Sequence, residues 1–542
     1  MQIMEHEIMK ECETHHQRNV YLLEDPINCY FEDLLDMTDE EFEQWIIELR
    51  TKIVDIWAEH NCPPRGGKDD PDIIKNFNKL SEYDVSKFTH TDELSDVEDD
   101  VIINSRHMGY EVDQWFPHMY KTRINYSEKD NGYSIYDLFA DDRHLPRMIK
   151  SGKRHFKRDS FYYMSAVARK NDIKTAIVKV NTPHEWLKAF ETHKNIFNGY
   201  DWWLCEQKNT GETSTGYIQV DQKTTLAFTA DEVRELWKSG RLTKRNISNI
   251  DLDNLSDDNI YLIRVFKLKH KKLFPHSFVA FRVGYIQVAH NYPPMTAKYL
   301  YERFTETIKN QEVINIYDPS AGWGGRILGA MSVKDDRVIN YIGTDPNPDN
   351  HFNDTNTSRY SNVADFFNTE TYRGNPFFSQ TNTYEIFSDG SEDISWNTDF
   401  QKYKGKLDLI FTSPPYFNRE AYSEDAAQSY KRYGSSYKAW RNGFLRPTLK
   451  TCAEYLKPDR YMLWNVADLK VGKNYLPLEE DSKKILEEYG MVYKYTLKMV
   501  MVGMPGQNRV GDDGVPKCKN YCKVNGKFHK FEPVYVFYKP SE

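Results

Sequence analysis

Apolar positions recur at helical spacing from Phe42 through Trp45, Ile46, Leu49, Ile53 and Ile56 to Trp57, with charged residues between them. Thr38, followed three positions later by Glu41, makes a capping box, so the pattern predicts an amphipathic helix whose aromatic stripe packs into a core. The prolines and glycines of the segment from Asn61 to Gly67 then break the helix and read as a loop. From about 70 to 275, short apolar runs such as Thr175–Val180 and Tyr261–Phe266 alternate with polar turns, with no internal repeat and no catalytic signature. Beyond about 275 the texture changes to strand-like apolar runs separated by helical segments, the alternation of a parallel α/β sheet. The predicted division is a helical segment over 1–68, an N-terminal mixed α/β or α+β domain over 69–275 with target recognition as its candidate role, and an α/β domain over 276–542.

A chain of 542 residues exceeds what one hydrophobic core organises, which supports more than one domain. Seven scattered cysteines do not make a disulfide framework and fit a reducing compartment. No run approaches a membrane span of about 20 apolar residues, and the first residues are too polar for a secretory signal, so the expectation is a cytoplasmic protein without a membrane partner. The net charge of -9 excludes an indiscriminate polycation, but local basic surfaces decide nucleic-acid binding. Two runs qualify, Lys150–Arg158 and Arg264–Lys272; within them Lys153, Arg154, Lys157, Arg158, Lys267, Lys269, Lys271 and Lys272 are candidate phosphate contacts, with a solvated surface as the plainer reading.

The chemistry concentrates in two motifs. Val313–Tyr317 reads as a strand, Asp318-Pro-Ser-Ala-Gly-Trp-Gly-Gly325 as a glycine turn, and Arg326–Met331 as a helix. Ligands of open α/β sheets sit at the carboxyl ends of strands, where Gly322, Gly324 and Gly325 let backbone approach closely. The glycines are followed by no Lys-Ser/Thr pair, and Asp318 would repel a pyrophosphate, so a cationic ligand suits the turn better than a nucleotide phosphate. The next strand, Tyr341–Thr344, ends at Asp345, placed to accept hydrogen bonds from ribose hydroxyls. This arrangement resembles the class I S-adenosylmethionine-dependent methyltransferases. The resemblance implies a Rossmann-like seven-stranded sheet, S-adenosyl-L-methionine as cofactor, Asp318, Ser320 and the three glycines around its methionine part, Asp345 at the ribose and Asp389 at the adenine. The segment from His290 to Ala297 resembles one that packs beside the cofactor, and reads equally as a capped structural helix.

The second motif is Thr412-Ser-Pro-Pro-Tyr416, at the carboxyl end of the strand Leu407–Phe411. Pro414 and Pro415 fix a rigid loop, because each locks its own torsion and restricts the residue before it. An exocyclic base amine is a poor nucleophile, and two acceptors, the Ser413 hydroxyl oxygen and the Pro414 carbonyl, are suited to orient its hydrogens. Tyr416 offers a face on which a flipped base stacks, and Phe417 an opposing wall. The pentapeptide resembles the Ser-Pro-Pro-Tyr motif of cytosine-N4 DNA methyltransferases, whereas adenine-N6 enzymes more often begin with Asp or Asn. Together with the lysine-proline turn at Leu456–Asp468, where Asp468 is a candidate pocket support, the likeness covers roughly 280 to 540.

The resemblance therefore implies a site-specific DNA methyltransferase, with DNA and a separate restriction nuclease as candidate partners. The alternatives are adenine N6 in DNA, an RNA amine, and a catalytically silent nucleic-acid-binding protein. Near the end, Gly503–Gly506, Arg509, Lys517 and Lys519 form a polar basic loop, read either as a cover for the substrate or as ordinary surface. Cys518, Cys522 and His529 are too few and too irregular for a structural zinc site, and the proposed transfer needs no metal.

Overall fold

The computed structural model describes residues 37–61, 70–104, 108–124, 132–152, 202–208, 217–220, 223–239, 259–265, 289–352, 357–372, 381–434, 436–471, 474–500 and 518–541, together with 252, 255 and 516. Contacts group the chain into two compact units, one containing Ile53–Asp141 with Ile286–Glu542, the other Asp25–Lys52 with Asp142–Tyr285. The predicted N-terminal helix is present as α1 (Asp39–His60). Its capping box is made on both sides: the Glu41 amide donates to the Thr38 hydroxyl at 3.2 Å and the Thr38 amide to the Glu41 carboxylate at 2.7 Å. Phe42, Ile46, Leu49, Ile53 and Trp57 are buried along one face, while Trp45 and Ile56 sit at its margin. The strand expected at Tyr261 falls within Asn259–Val265, which joins Trp202–Lys208, Tyr217–Val220 and Lys223–Phe228 in an antiparallel four-stranded sheet of the second unit. The 61–67 loop beyond Asn61, the Thr175–Val180 run and both sets of candidate phosphate-binding lysines and arginines lie outside the described residues.

The first unit is organised by a ten-stranded sheet. In chain order its strands are β1 (Thr89–His90), β2 (Val101–Ile102), β3 (Val313–Asp318), β4 (Val338–Thr344), β5 (Thr383–Phe387), β6 (Leu407–Thr412), β7 (Leu456–Asn465), β8 (Val492–Val500), β9 (Tyr521–Val524) and β10 (Lys527–Lys539). They lie in the order β1-β2-β8-β10-β7-β6-β3-β4-β5, with β9 paired to β10. β5, β4, β3, β6 and β7 are mutually parallel, and β10 runs antiparallel between β7 and β8. Numbered along the C-terminal region alone, β3 to β8 with β10 read 3-2-1-4-5-7-6, the seven-stranded Rossmann-like sheet expected. The short strand β2, from the N-terminal half, extends it in parallel with β8, and β1 pairs outside it as the edge.

The helical segments include α2 (Asp70–Glu82), α3 (Pro294–Thr305), α4 (Gly325–Met331), α5 (Arg359–Tyr372), α6 (Arg446–Tyr455) and α7 (Leu478–Glu488). Leu449 and Cys452 of α6, with Ile485 and Leu486 of α7, share one core with Ile410, Trp464 and Phe537 of the sheet. β6 is buried at all six positions, which explains its unbroken apolar run apart from Asp408 and Thr412. Asp408 is wholly buried yet satisfied: its carboxylate accepts from the Asn315 amide at 2.9 Å and from Lys457 Nζ at 2.6 Å, with Gln311 and Arg460 also bonded to it. It ties the amino end of β6 to β3 and β7. Asp408→Ala is expected to lower stability by about 3 kcal/mol, the scale of losing hydrogen bonds to a charged group; urea unfolding checks this, and an unchanged midpoint would refute the tie.

Candidate active site

β3 and β6 are adjacent, and it is between them that the strand order reverses, since the chain runs from β3 outward to β5 and then returns to β6. An open sheet leaves a crevice above the carboxyl ends at such a point. The two sequence motifs emerge there side by side, brought together only by the crossover.

Asp318 closes β3 as a wholly buried carboxylate. It accepts from Arg326 Nε at 2.6 Å, the Tyr341 hydroxyl at 2.6 Å, the Thr412 hydroxyl at 2.7 Å and the Ser320 amide at 3.2 Å. Arg326 is buried as well, and its paired charge keeps it firmly protonated. This corrects the expectation that Asp318 faces a cationic ligand: the cation it meets is the guanidinium eight residues later, which the sequence presented as an ordinary helical position. Asp318 therefore shapes the turn from below.

The turn follows from that anchor. Gly322 takes a φ of +65°, its amide donates to Asp345 at 3.0 Å, and its carbonyl accepts from the Tyr360 hydroxyl. Gly324 caps α4, and Gly325 opens it. A side chain on Gly325 would have its Cβ 2.0 Å from the Tyr292 carbonyl oxygen, so glycine is required by close approach of backbone. The His290–Ala297 segment thus braces the turn. Asn291 receives the Gly325 amide at 3.2 Å and donates to the Trp323 carbonyl at 2.6 Å and to Asp113 at 3.0 Å.

Asp345 lies just past β4, half-buried, with its carboxylate accepting from the amides of Gly322 and Asn347 and from the Asn350 side chain. Burial pushes its carboxyl above the usual carboxylate range despite these donors. Asp389, beyond β5, is partly exposed and accepts from Asn397 at 2.8 Å. Across the crevice, Ser413 and Pro415 are partly exposed and Pro414 is buried. Tyr416 is partly exposed with its hydroxyl donating to Glu532 of β10. Phe417 departs from expectation. Its backbone turns left-handed, φ +50°, and sends the ring into the core against Tyr437 and Trp440 at 5.8 and 5.6 Å, so it presents no free wall. Ser320, Gly322, Ser413, Pro415 and Tyr416 of the two motifs, with Asp345 and Asp389 at the neighbouring strand ends, are partly exposed along this edge.

The N-terminal half reaches this edge. Phe116 packs on Tyr360, and Arg123–Ile124 pairs antiparallel with Glu420–Ala421, the chain just past the Pro-Pro-Tyr loop. A cavity of about 630 Å³ opens there, lined by residues that include His118, Lys121, Tyr136, Asp349 and Tyr422. Tyr422 also meets Trp323 of the glycine turn edge-on at 5.5 Å. Lys519 is held by Asp468 and Glu479 at 2.7 and 3.1 Å. Gly503–Gly506, Arg509 and Lys517 lie outside the described residues. Among the described residues no cluster could hold a metal ion, and no helix is long and apolar enough to cross a membrane.

No family model matches this chain, and no curated protein matches it. Several solved structures show partial likeness. A provisionally assigned DNA modification methylase of Thermus thermophilus, complexed with S-adenosyl-L-methionine, is 14% identical over 28% of this chain and 54% of its own, with a TM-score of 0.19. A TehB-like SAM-dependent methyltransferase of Corynebacterium glutamicum is 14% identical over 45% of this chain and 87% of its own, with a TM-score of 0.21. A SAM-dependent methyltransferase of Methanosarcina mazei is 11% identical over 47% of this chain and all of its own, with a TM-score of 0.23. The match spans only about half of the Thermus chain. Scores and identities this low say nothing of substrate, and the fold stands on the strand order itself.

Two outcomes test the geometry. Asp318→Ala strands a buried guanidinium and is expected to cost about 3–5 kcal/mol, while Asp318→Leu combined with Arg326→Met recovers much of it; chemical denaturation of both variants decides, and equal losses would count against the pair. His118 is buried, and burial, then the nearby Arg359 charge, holds its imidazole down at about 3. An unfolded histidine protonates at about 6.5, so between those values the unfolded chain binds the extra proton and stability falls as pH falls. Unfolding of wild type and His118→Gln at pH 4.5 and 7.5 is expected to show the larger acid loss in the wild type; identical losses would exclude it.

Proposed function

We propose that the chain is an S-adenosyl-L-methionine-dependent methyltransferase acting on the exocyclic amine of a flipped base in DNA, with cytosine N4 as the preferred target. The observation that carries this reading is the adjacency, at the strand-order reversal, of the Asp318–Gly325 turn and the Ser413–Tyr416 loop, stitched by the Thr412–Asp318 hydrogen bond. The residues present fit the cofactor: a glycine turn with a partly exposed rim at Ser320 and Gly322, and beyond it Asp345, an acceptor-only group suited to ribose hydroxyls. Asp389 stands at the next strand end for the adenine edge. When bound, the cofactor supplies a methyl group made electrophilic by its sulfonium.

The chain's own residues do the rest. The Ser413 hydroxyl oxygen and the Pro414 carbonyl accept hydrogen bonds from the amine, turning its lone pair toward the methyl group, and the proline-fixed loop holds that orientation. Tyr416 stacks on the base after it leaves the duplex. Asp318 and Arg326 remain a neutralised pair beneath the turn. DNA is the preferred partner, adenine N6 and RNA amines are the alternative substrates, and a separate restriction nuclease is the companion such an enzyme would protect against.

The test is methyl transfer from labelled cofactor to unmodified DNA and RNA, with the product digested to nucleosides and identified by mass spectrometry. N4-methylcytosine is expected, with Ser413→Ala lowering kcat by about 10²-fold or more, the scale of a lost transition-state hydrogen-bonding group, and Tyr416→Ala lowering transfer comparably. N6-methyladenine would overturn the base assignment, label in RNA alone would move the substrate, and no label in either would sink the enzyme reading.

A further inference from the structure

The base-stacking assignment of Tyr416 raises the question of what fixes its ring, since a tyrosine at the lip of a crevice retains rotation about two side-chain bonds. The answer comes from outside both motifs. β10 is antiparallel to β7, with Val534 opposite Asn465, so the residues of β10 that precede Val534 project past the carboxyl end of the parallel strands. Glu532 sits there, two strands away from β6 in the sheet, opposite Met499 of β8. Its carboxylate accepts the Tyr416 hydroxyl. Pro533, the next residue, has its carbonyl held by Asn465 Nδ2 at 2.8 Å, which pins the backbone carrying the glutamate.

The surroundings strengthen the contact. Burial pushes Glu532 above the usual carboxylate range, and so does the charge of Glu420, a second carboxylate on the chain just past the Pro-Pro-Tyr loop. Glu420 in turn accepts the Tyr422 hydroxyl. An ionised carboxylate with a phenol donor makes a charge-assisted hydrogen bond, stronger than one between neutral groups, and the partial burial of both partners limits competition from water. The Tyr416 hydroxyl is correspondingly hard to ionise, held up first by burial and then by Glu532.

Resting on the methyltransferase reading above, we infer that Glu532 is a positioning residue: by receiving the Tyr416 hydroxyl it fixes the stacking face against which the target base is held. It touches neither the base nor the cofactor in this role. Nothing in the sequence around Glu532 marks it, since it lies in a strand more than a hundred residues beyond the motif it serves.

A double-mutant cycle tests this. Glu532→Ala and Tyr416→Phe are each expected to lower kcat by about 10- to 100-fold, the range spanned by a lost charge-assisted hydrogen bond, with KM for the cofactor unchanged. The double variant is expected to be no slower than either single one, and Glu532→Gln, which keeps an acceptor oxygen, to recover most of the rate. Fluorine NMR of protein labelled with 3-fluorotyrosine, with the Tyr416 signal assigned by its loss in Tyr416→Phe, should show that signal shifted by Glu532→Ala and largely restored by Glu532→Gln. Losses that multiply in the double variant, or a Tyr416 signal indifferent to Glu532, would overturn the inference. An active wild type beside a full-rate Glu532→Ala would overturn it alone, whereas a wild type that methylates neither DNA nor RNA would remove the reading beneath it as well.

Discussion

One buried carboxylate organises the functional edge of this protein. Asp318 closes β3, and its two oxygens are shared among Arg326 of α4, Tyr341 of β4, Thr412 of β6 and the Ser320 amide of its own turn. Removed from water, such a charge is tolerable only when paired and fully hydrogen-bonded, and that requirement locks three adjacent strands and one helix start into a single register. The consequence reaches the ligand-accessible rim. With the carboxylate satisfied from within, the glycine turn above it is left to present backbone and Ser320, and the Pro-Pro-Tyr loop is set beside it by Thr412, one residue before Ser413.

A second constraint is the direction of the strands. Parallel strands deliver their following loops to one edge, so β3, β4, β5 and β6 place Asp318, Asp345, Asp389 and Ser413 along one crevice. The antiparallel β10 adds to that edge from the opposite chain direction, presenting Glu532 before its paired stretch rather than after it. The same edge takes in the N-terminal half: Asp113 bonds Asn291, Phe116 lies against Tyr360, and Arg123–Ile124 pairs with the chain beyond Tyr416. Residues without any catalytic signature of their own thereby form part of the wall around the motifs.

What the sequence determined by itself is local. The 3.6-residue periodicity and capping box defined α1, because both depend on residues three and four apart. The apolar β-branched runs and the turns that follow them located β3 and β6 to within a residue and β4 apart from its first three residues; the alternation of strands and helices implied a parallel α/β sheet, and the resemblance of the motifs a Rossmann-like one. The partly exposed rim of the candidate site, from Ser320 to Tyr416, also lay within short motifs whose composition carries chemistry.

Tertiary structure alone decided what depends on separation. Asp318 looked like a ligand carboxylate until Arg326, Tyr341 and Thr412 were seen to fill its hydrogen-bonding capacity, a fact no window of sequence contains. Phe417 looked like a base-stacking wall until a left-handed backbone turned its ring toward Tyr437 and Trp440. The addition of β2 to the sheet edge, the brace of Asn291 on Gly325, and the reach of Glu532 to Tyr416 join residues tens to hundreds of positions apart. Local pattern reports which face of an element is apolar, but which charges and hydroxyls become partners is set only when strand order brings their elements to the same edge.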